Sequence, residues 1–246
     1  MGKLVGKKAV VTGGGRGIGT AIVRRLAEEG ADIALSYNST RKGAEEMVGE
    51  VHALGRRCVA IHADAAEAGS ARVMIDEAVA ALGGIDILVN NAGVANVGLL
   101  QELGEDEIQQ MLDINIRSVV LTCRAALDHL PSGGRIITIG SALADRVFSE
   151  GLAPYAMTKA ALAGFTRGLA REVGPRGINV NIVHPGSTYS DMNPPGNPRE
   201  TWLRSLTALN RYNDAADIAA TVAFLASDDA RQITGTALTV DAGMNA

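Results

Sequence analysis

Short apolar runs alternate with longer stretches in which apolar positions recur every three or four residues, from one end of the chain to the other. The runs Ala9–Val11, Asp32–Ser36, Arg57–His62, Asp86–Val89, Arg135–Ile139, Asn179–Val183 and Ala237–Val240 read as strands. Gly19–Glu29, Arg41–Leu54, Ser70–Leu82, Asp106–Leu130, Tyr155–Val173 and Ala215–Leu225 carry the helical period. Strand alternating with helix implies parallel strands joined by right-handed crossovers, with helices on both sheet faces. Ile136-Ile137-Thr138-Ile139 is nearly continuous in apolar side chains, as expected of a strand covered on both sides. The expected fold is α/β, a seven-stranded, mostly parallel, doubly wound sheet in a single domain over 1–246, since no linker or internal repeat interrupts the pattern.

One region breaks the rhythm. Between His184 and Asn213 lie Pro185, Pro194, Pro195, Pro198 and the only tryptophan, Trp202. So long an irregular segment inside a compact fold is either a functional loop or a disordered insertion. Trp202, Leu203, Leu206 and Leu209 at helical spacing favour a lid over about 187–213 that contains a short amphipathic helix.

Composition narrows the function classes. Hydrophobic residues at 47% and charged residues at 20% over 246 residues are those of a globular chain that needs no disulfide or metal to fold. A formal charge of −4 argues against a nucleic-acid binder. No stretch approaches the roughly 18 apolar residues of a membrane span, and the start of the chain lacks the apolar core of a signal peptide. The two cysteines, Cys58 and Cys123, sit in apolar segments and are expected reduced and buried, which fits the cytoplasm.

The first strand runs into Thr12-Gly13-Gly14-Gly15-Arg16-Gly17-Ile18-Gly19, where a helix begins. A glycine-rich turn there lets the backbone approach a pyrophosphate, and the free N–H groups of the helix favour its charge. No Lys follows Gly19, so this is not a P-loop. An acidic residue at the end of the second strand would bond the ribose 2′-hydroxyl of NAD. Here that position reads Ser36-Tyr37-Asn38-Ser39-Thr40-Arg41, with no carboxylate until Glu45. Asn38, Ser39, Arg41 and Arg16 suit a 2′-phosphate, so NADP(H) is expected over NAD(H).

Tyr155 and Lys159 stand four apart on one helix face. A tyrosine of ordinary pKa near 10 is a poor proton donor at neutral pH. A cation about 4 Å away at an effective dielectric near 20 is worth roughly 4 kcal/mol, enough to lower that pKa by about 3 units. Ser141 follows the fifth strand at the carboxyl edge of the sheet, where open α/β folds bind ligands, and can hold a substrate oxygen beside Tyr155. Its surroundings, Ile139-Gly140-Ser141-Ala142-Leu143, are not the G-x-S-x-G elbow of a nucleophilic serine.

Taken in order, these motifs resemble the classical short-chain dehydrogenase/reductase family from about Lys7 to Ala242: the glycine turn, Asp64, Asn90-Asn91-Ala92-Gly93, Asn115, Ser141, Tyr155-x-x-x-Lys159 and Pro185-Gly186. The resemblance implies a Rossmann-type fold and hydride transfer between a nicotinamide dinucleotide and a carbonyl or alcohol carbon. It implies that Tyr155 is the general acid, that Lys159 also holds the nicotinamide ribose, that Ser141 orients the carbonyl, and that Asn115 kinks its helix and holds a relay water. It further implies cofactor contacts from Gly13, Gly15, Arg16, Gly17, Ile18 and Gly19, and from Asp64, which would accept the adenine amino group, with Ala65. Asn91, Ala92, Gly93, Pro185, Gly186 and Thr188 complete the set, with Ser190 where many relatives carry a threonine. The Ser141-to-Tyr155 interval is one residue longer than is common in the family, so the 142–154 loop is expected to bulge near the substrate. Asn210 and Asn213 stand where relatives often have glycines.

His184 is set aside as structural, and His52, His62 and His129 lack metal-ligand spacing, so no metal is expected. The expected reaction is NADPH-dependent reduction of a small-molecule ketone. The main alternative is a 3-oxoacyl-(acyl-carrier-protein) reductase. Arg176 occupies one place where such enzymes carry a docking cation, while the other, Leu130-Pro131-Ser132-Gly133, is uncharged. A lesser alternative is a non-catalytic NADP-binding regulator. A homotetramer is implied by the resemblance, through the helices bearing Asn115 and Tyr155 and through the last strand.

Overall fold

Successive residues of a strand point to opposite faces, and six of the seven strands here feed two separate cores. In the computed structural model, which describes residues 2–246, β1 (Lys8–Val11) sends Ala9 and Val11 to one face and Val10 to the other. β2 (Asp32–Tyr37) divides Ile33 and Leu35 from Ala34 in the same way. β3 (Cys58–His62), β4 (Ile87–Asn90), β5 (Arg135–Ile139), β6 (Asn179–Pro185) and β7 (Ala237–Val240) complete one sheet in the order β3-β2-β1-β4-β5-β6-β7. Every pairing is parallel, so the antiparallel strand that a mostly parallel sheet would admit is not used.

The face of Ala9 and Val11 is covered by α1 (Gly17–Glu28), α2 (Arg41–Ala53) and α8 (Ala215–Ala226), which contribute Ile22, Leu26, Met47, Ile218 and Val222. The face of Val10 is covered by α3 (Ser70–Leu82), α5 (Ser118–Ala126) and α6 (Ala153–Val173), through Ile75, Leu82, Val119 and Leu162. The chain order reverses between β1 and β4, and the carboxyl ends of those strands diverge into the crevice where such folds take ligands.

Two expectations change, and a third, the short helix within 187–213, is met. The single helix expected over Asp106–Leu130 is two, α4 (Glu105–Leu112) and α5, joined by a π-turn at Asp113–Arg117 with fully buried Asn115 at its centre. α5 ends at Ala126, a turn short of Leu130, the residue that Pro131 keeps out of the helical conformation. Cys123 is buried as expected, but Cys58 on the edge strand β3 is only half-buried, and burial pushes both free thiols up to about 12. The 187–213 segment is folded: α7 (Glu200–Ser205) carries Trp202 and Leu203, and Leu203 is buried. Among the described residues no helix is long and apolar enough to cross a membrane.

Candidate active site

The glycine turn sits between β1 and α1. Gly13 and Gly17 have φ of +66° and +53°, which side chains rarely adopt, and a Cβ on Gly19 would lie 2.2 Å from the Gly13 carbonyl. The turn is braced from β4: the Asn91 amide donates to the carbonyls of Thr12 (2.9 Å) and Gly13 (3.0 Å), while Thr12 Oγ1 accepts the N–H groups of Asn91 and Ala92. Asn91 therefore shapes the cradle as well as lining it.

The turn opens on a cavity of about 690 Å³ along the carboxyl edge of the sheet. That volume is within the range of ligand sites, about 300–1,000 Å³. Gly13, Arg16, Gly17, Ile18, Gly19, Asn38, Ser39, Asp64, Ala65, Asn91, Ala92, Gly93, Ser141, Tyr155, Lys159, Pro185, Gly186, Thr188 and Ser190 all line it. Three expected residues do not. Gly15 faces α2, where a Cβ would meet Thr40 Oγ1 at 2.9 Å, so its smallness serves helix packing. Arg41 is turned into an ion pair with Glu45 at 2.8 Å, its natural partner one helical turn on. Arg16 is the cation left on that wall, with no carboxylate within 4 Å among the described residues.

Asn115, the third, works from behind the wall. Its Oδ1 accepts the Val94 N–H and its Nδ2 donates to the Val94 carbonyl, both at 2.9 Å, and to Thr158 Oγ1 at 3.1 Å. The Thr158 hydroxyl in turn donates to the Tyr155 carbonyl at 2.7 Å. The π-turn thus staples the irregular segment after Gly93 to the first turn of α6, which carries Tyr155. Thr158 escapes sequence reasoning, although a threonine three residues after a key side chain is a recurrent backbone brace.

At the reacting end, Ser141 is extended (φ −164°, ψ 147°) and its Oγ caps a short turn by accepting the Leu143 N–H at 3.2 Å. Lys159 is buried, 5% exposed, and its Nζ donates to the Ile139 carbonyl at 3.1 Å and lies 5.8 Å from the centroid of the Tyr155 ring. Burial brings the Lys159 ammonium down to about 8. Burial also raises the Tyr155 phenol above its ordinary value, opposed by the Ser141 hydroxyl beside it. The lowering of Tyr155 expected from its neighbouring cation is therefore not present: desolvation dominates, and an ammonium near 8 is itself a weakened partner.

The 187–213 segment walls one side of the cavity. A Cβ on Gly17 would stand 3.6 Å from that of Ser190, so the segment starts directly over the glycine turn. Thr188 bridges to Asn213, whose amide also donates to the Val240 carbonyl at 2.8 Å. Tyr189 and Tyr212 stack at 4.8 Å, and Glu200 accepts from the Tyr189 hydroxyl and the Gly196 N–H, each at 2.7 Å. Asn210 has φ +48°, a left-handed conformation that explains an asparagine where glycine is frequent. The longer interval after Ser141 supplies Phe148, edge-on to Trp202 at 5.8 Å. Val94, Leu143, Phe148, Leu152, Leu203 and Met244 add apolar lining to the same cavity.

Residues 13–245 match the family described as enoyl-(acyl carrier protein) reductase. A Burkholderia cenocepacia short chain dehydrogenase, solved in complex with NADP, is 50% identical, with a TM-score of 0.98 covering 99% of this chain and 100% of that one. The 3-oxoacyl-(acyl-carrier-protein) reductase of Staphylococcus aureus is 39% identical over 97% of this chain and 98% of its own. The cyclic-di-GMP-binding biofilm dispersal mediator protein of Escherichia coli is 39% identical over the full length of both. With the glycine cradle, Ser141, Tyr155 and Lys159 assembled on one crevice, these relationships make the chain an oxidoreductase of the classical short-chain dehydrogenase/reductase family.

Proposed function

We propose that this protein reduces a small-molecule ketone to a secondary alcohol at the expense of NADPH, with Tyr155 as general acid. The observation that carries this reading is the convergence of Tyr155, Ser141 and Lys159 on the one cavity that the glycine cradle also lines. The cradle fits a dinucleotide, since Gly13, Gly17 and Gly19 keep the backbone free of side chains where a pyrophosphate must approach. A nicotinamide dinucleotide held by this cradle and by Lys159 would supply a hydride for the carbonyl carbon. Ser141 holds the carbonyl oxygen, and the Tyr155 hydroxyl gives that oxygen its proton as the hydride arrives, leaving a phenolate that the Lys159 ammonium stabilises. Burial keeps Tyr155 protonated until then, as a donor requires.

Selection of NADPH rests on Arg16, Asn38, Ser39 and Thr40, which line the adenosine end without a carboxylate among them. A charge-assisted bond to phosphate is worth about 1.5–3 kcal/mol, so Arg16→Gln is expected to weaken NADPH binding by about 10- to 100-fold and NADH binding by less than about twofold. Equal losses for both cofactors, measured by nucleotide fluorescence titration, would remove Arg16 from the phosphate site.

Similarity to the Staphylococcus aureus reductase keeps an acyl-carrier-protein substrate as the second reading. Against it, the Arg176 guanidinium donates to the carbonyls of Leu127 and Leu130 at 2.7 and 3.1 Å, so it caps a helix end and is less available to an acidic partner. NADPH oxidation with ethyl acetoacetate, cyclohexanone and acetophenone, set beside 3-oxoacyl thioesters on acyl-carrier protein, decides between them. A kcat/KM for the carrier-bound thioester above that for every free ketone would replace the first reading by the second. Exposed Met157, Val120 and Phe224, on α6, α5 and α8, suit burial in the homotetramer we propose as the working assembly.

A further inference from the structure

His184 lies near the end of β6 and is fully buried. Backbone pairing between β5 and β6 ends at the Gly140 N–H, which donates to the Val183 carbonyl at 2.7 Å. One residue on, the Ser141 N–H donates to a side chain, Nδ1 of His184, at 3.1 Å. A Cβ on Gly140 would stand 2.2 Å from that Nδ1 and 2.5 Å from Cε1, so a glycine at 140 is what lets the ring reach the strand end. On the near side of Gly140, Lys159 Nζ takes the Ile139 carbonyl. The peptide groups on both sides of Gly140 are thus held by side chains.

The ring's other nitrogen shows that packing does not explain the residue. With Nδ1 accepting, the proton of the neutral ring is on Nε2, which is buried without a hydrogen-bond partner among the described residues. Leaving such a group unpaired costs about 1–3 kcal/mol, which a leucine or valine here would avoid. Burial and the Lys159 ammonium hold the imidazole below its ordinary pKa, against the opposite pull of Asp145, and the neutral form is the one able to accept at Nδ1.

We propose that His184 is a positioning residue whose Nδ1 holds the Ser141 backbone and so aims the Ser141 hydroxyl at the substrate oxygen beside Tyr155. It rests on the role proposed above for Ser141. The test uses the full-length protein, NADPH and whichever of the three ketones the wild type reduces fastest. His184→Asn puts a carbonyl oxygen close to the place of Nδ1, whereas His184→Gln carries it one bond further. His184→Ala and His184→Gln are expected to lose about 10²-fold in kcat, with ketone KM and NADPH Kd within about threefold of wild type, and His184→Asn to recover to within about threefold. An alanine variant within threefold of wild type overturns the proposal. So does equal behaviour of the Asn and Gln variants, or a loss that follows NADPH Kd. If the alanine variant does not fold, the Asn and Gln pair decides. Ser141→Ala, run alongside, separates the two levels. Full activity of Ser141→Ala removes the proposed role of Ser141 and this inference with it, while an impaired Ser141→Ala beside an unimpaired His184→Ala removes only the inference.

Discussion

Tyr155→Phe is expected to lower kcat for ketone reduction by at least about 10³-fold, close to 4 kcal/mol of barrier, while NADPH Kd stays within about threefold. The phenylalanine keeps the ring, the packing at the start of α6 and the face on which Lys159 lies at 5.8 Å. What it removes is a hydroxyl that sits beside Ser141 inside the cavity and is held protonated by burial. Binding is untouched because the glycine turn, Asn91 and the lid are braced through bonds in which the Tyr155 hydroxyl takes no part. Stopped-flow NADPH oxidation and fluorescence titration on the same preparation read the two quantities. A variant that reduces ketone at near the wild-type rate would show that another group delivers the proton.

What could be read in the chain, and what could not, divides along physical lines. The inner strands were legible because burial on both faces makes them nearly continuous apolar runs, and the displaced ends, Cys58 for Arg57 and Ile87 for Asp86, reflect polar residues at the sheet's amino edge. The π-turn at Asp113–Arg117 steps the apolar face round by about 100°, but α5 beyond it is apolar on so many sides that the step does not interrupt the helical pattern. Its central residue was still legible, as an asparagine at a helix interior. The site residues came from motif order, but their surroundings did not. Arg41 could be placed near the phosphate from its position alone, and only Glu45 one turn away hinted that it was already occupied. The direction in which Tyr155 shifts depends on how completely Tyr155 and Lys159 leave water, a tertiary property. His184 was set aside because a histidine at a strand end is usually structural. The clue was Gly140, which sits immediately before Ser141 where the facing strand brings an imidazole.

Lys159→Met separates what the buried ammonium does for chemistry from what it does to the fold. Turnover is expected to fall by about 10³-fold, since the phenolate formed at Tyr155 loses its counter-charge. Stability is expected to move the other way. In the unfolded chain the lysine titrates at its ordinary 10.5, and in the fold at about 8. Between those values the unfolded state holds a proton that the folded state has lost, so wild-type stability rises with pH across this window, and below it the whole penalty applies. A displacement of that size is on the order of 3 kcal/mol, and the lost bond to the Ile139 carbonyl offsets part of it. The methionine variant, similar in length and uncharged, is therefore expected to be more stable than wild type by about 1–3 kcal/mol at pH 7, with the difference shrinking as pH passes from 8 towards 10.5. Urea midpoints of both proteins without nucleotide, at pH 7 and pH 10, measure it. The same ammonium predicts that wild-type kcat/KM for reduction declines above about pH 8, as the counter-charge for Tyr155 disappears. A gap between the two proteins that stays constant with pH, or one that widens, would mean that Lys159 keeps its proton in the fold and that burial is not what tunes this site.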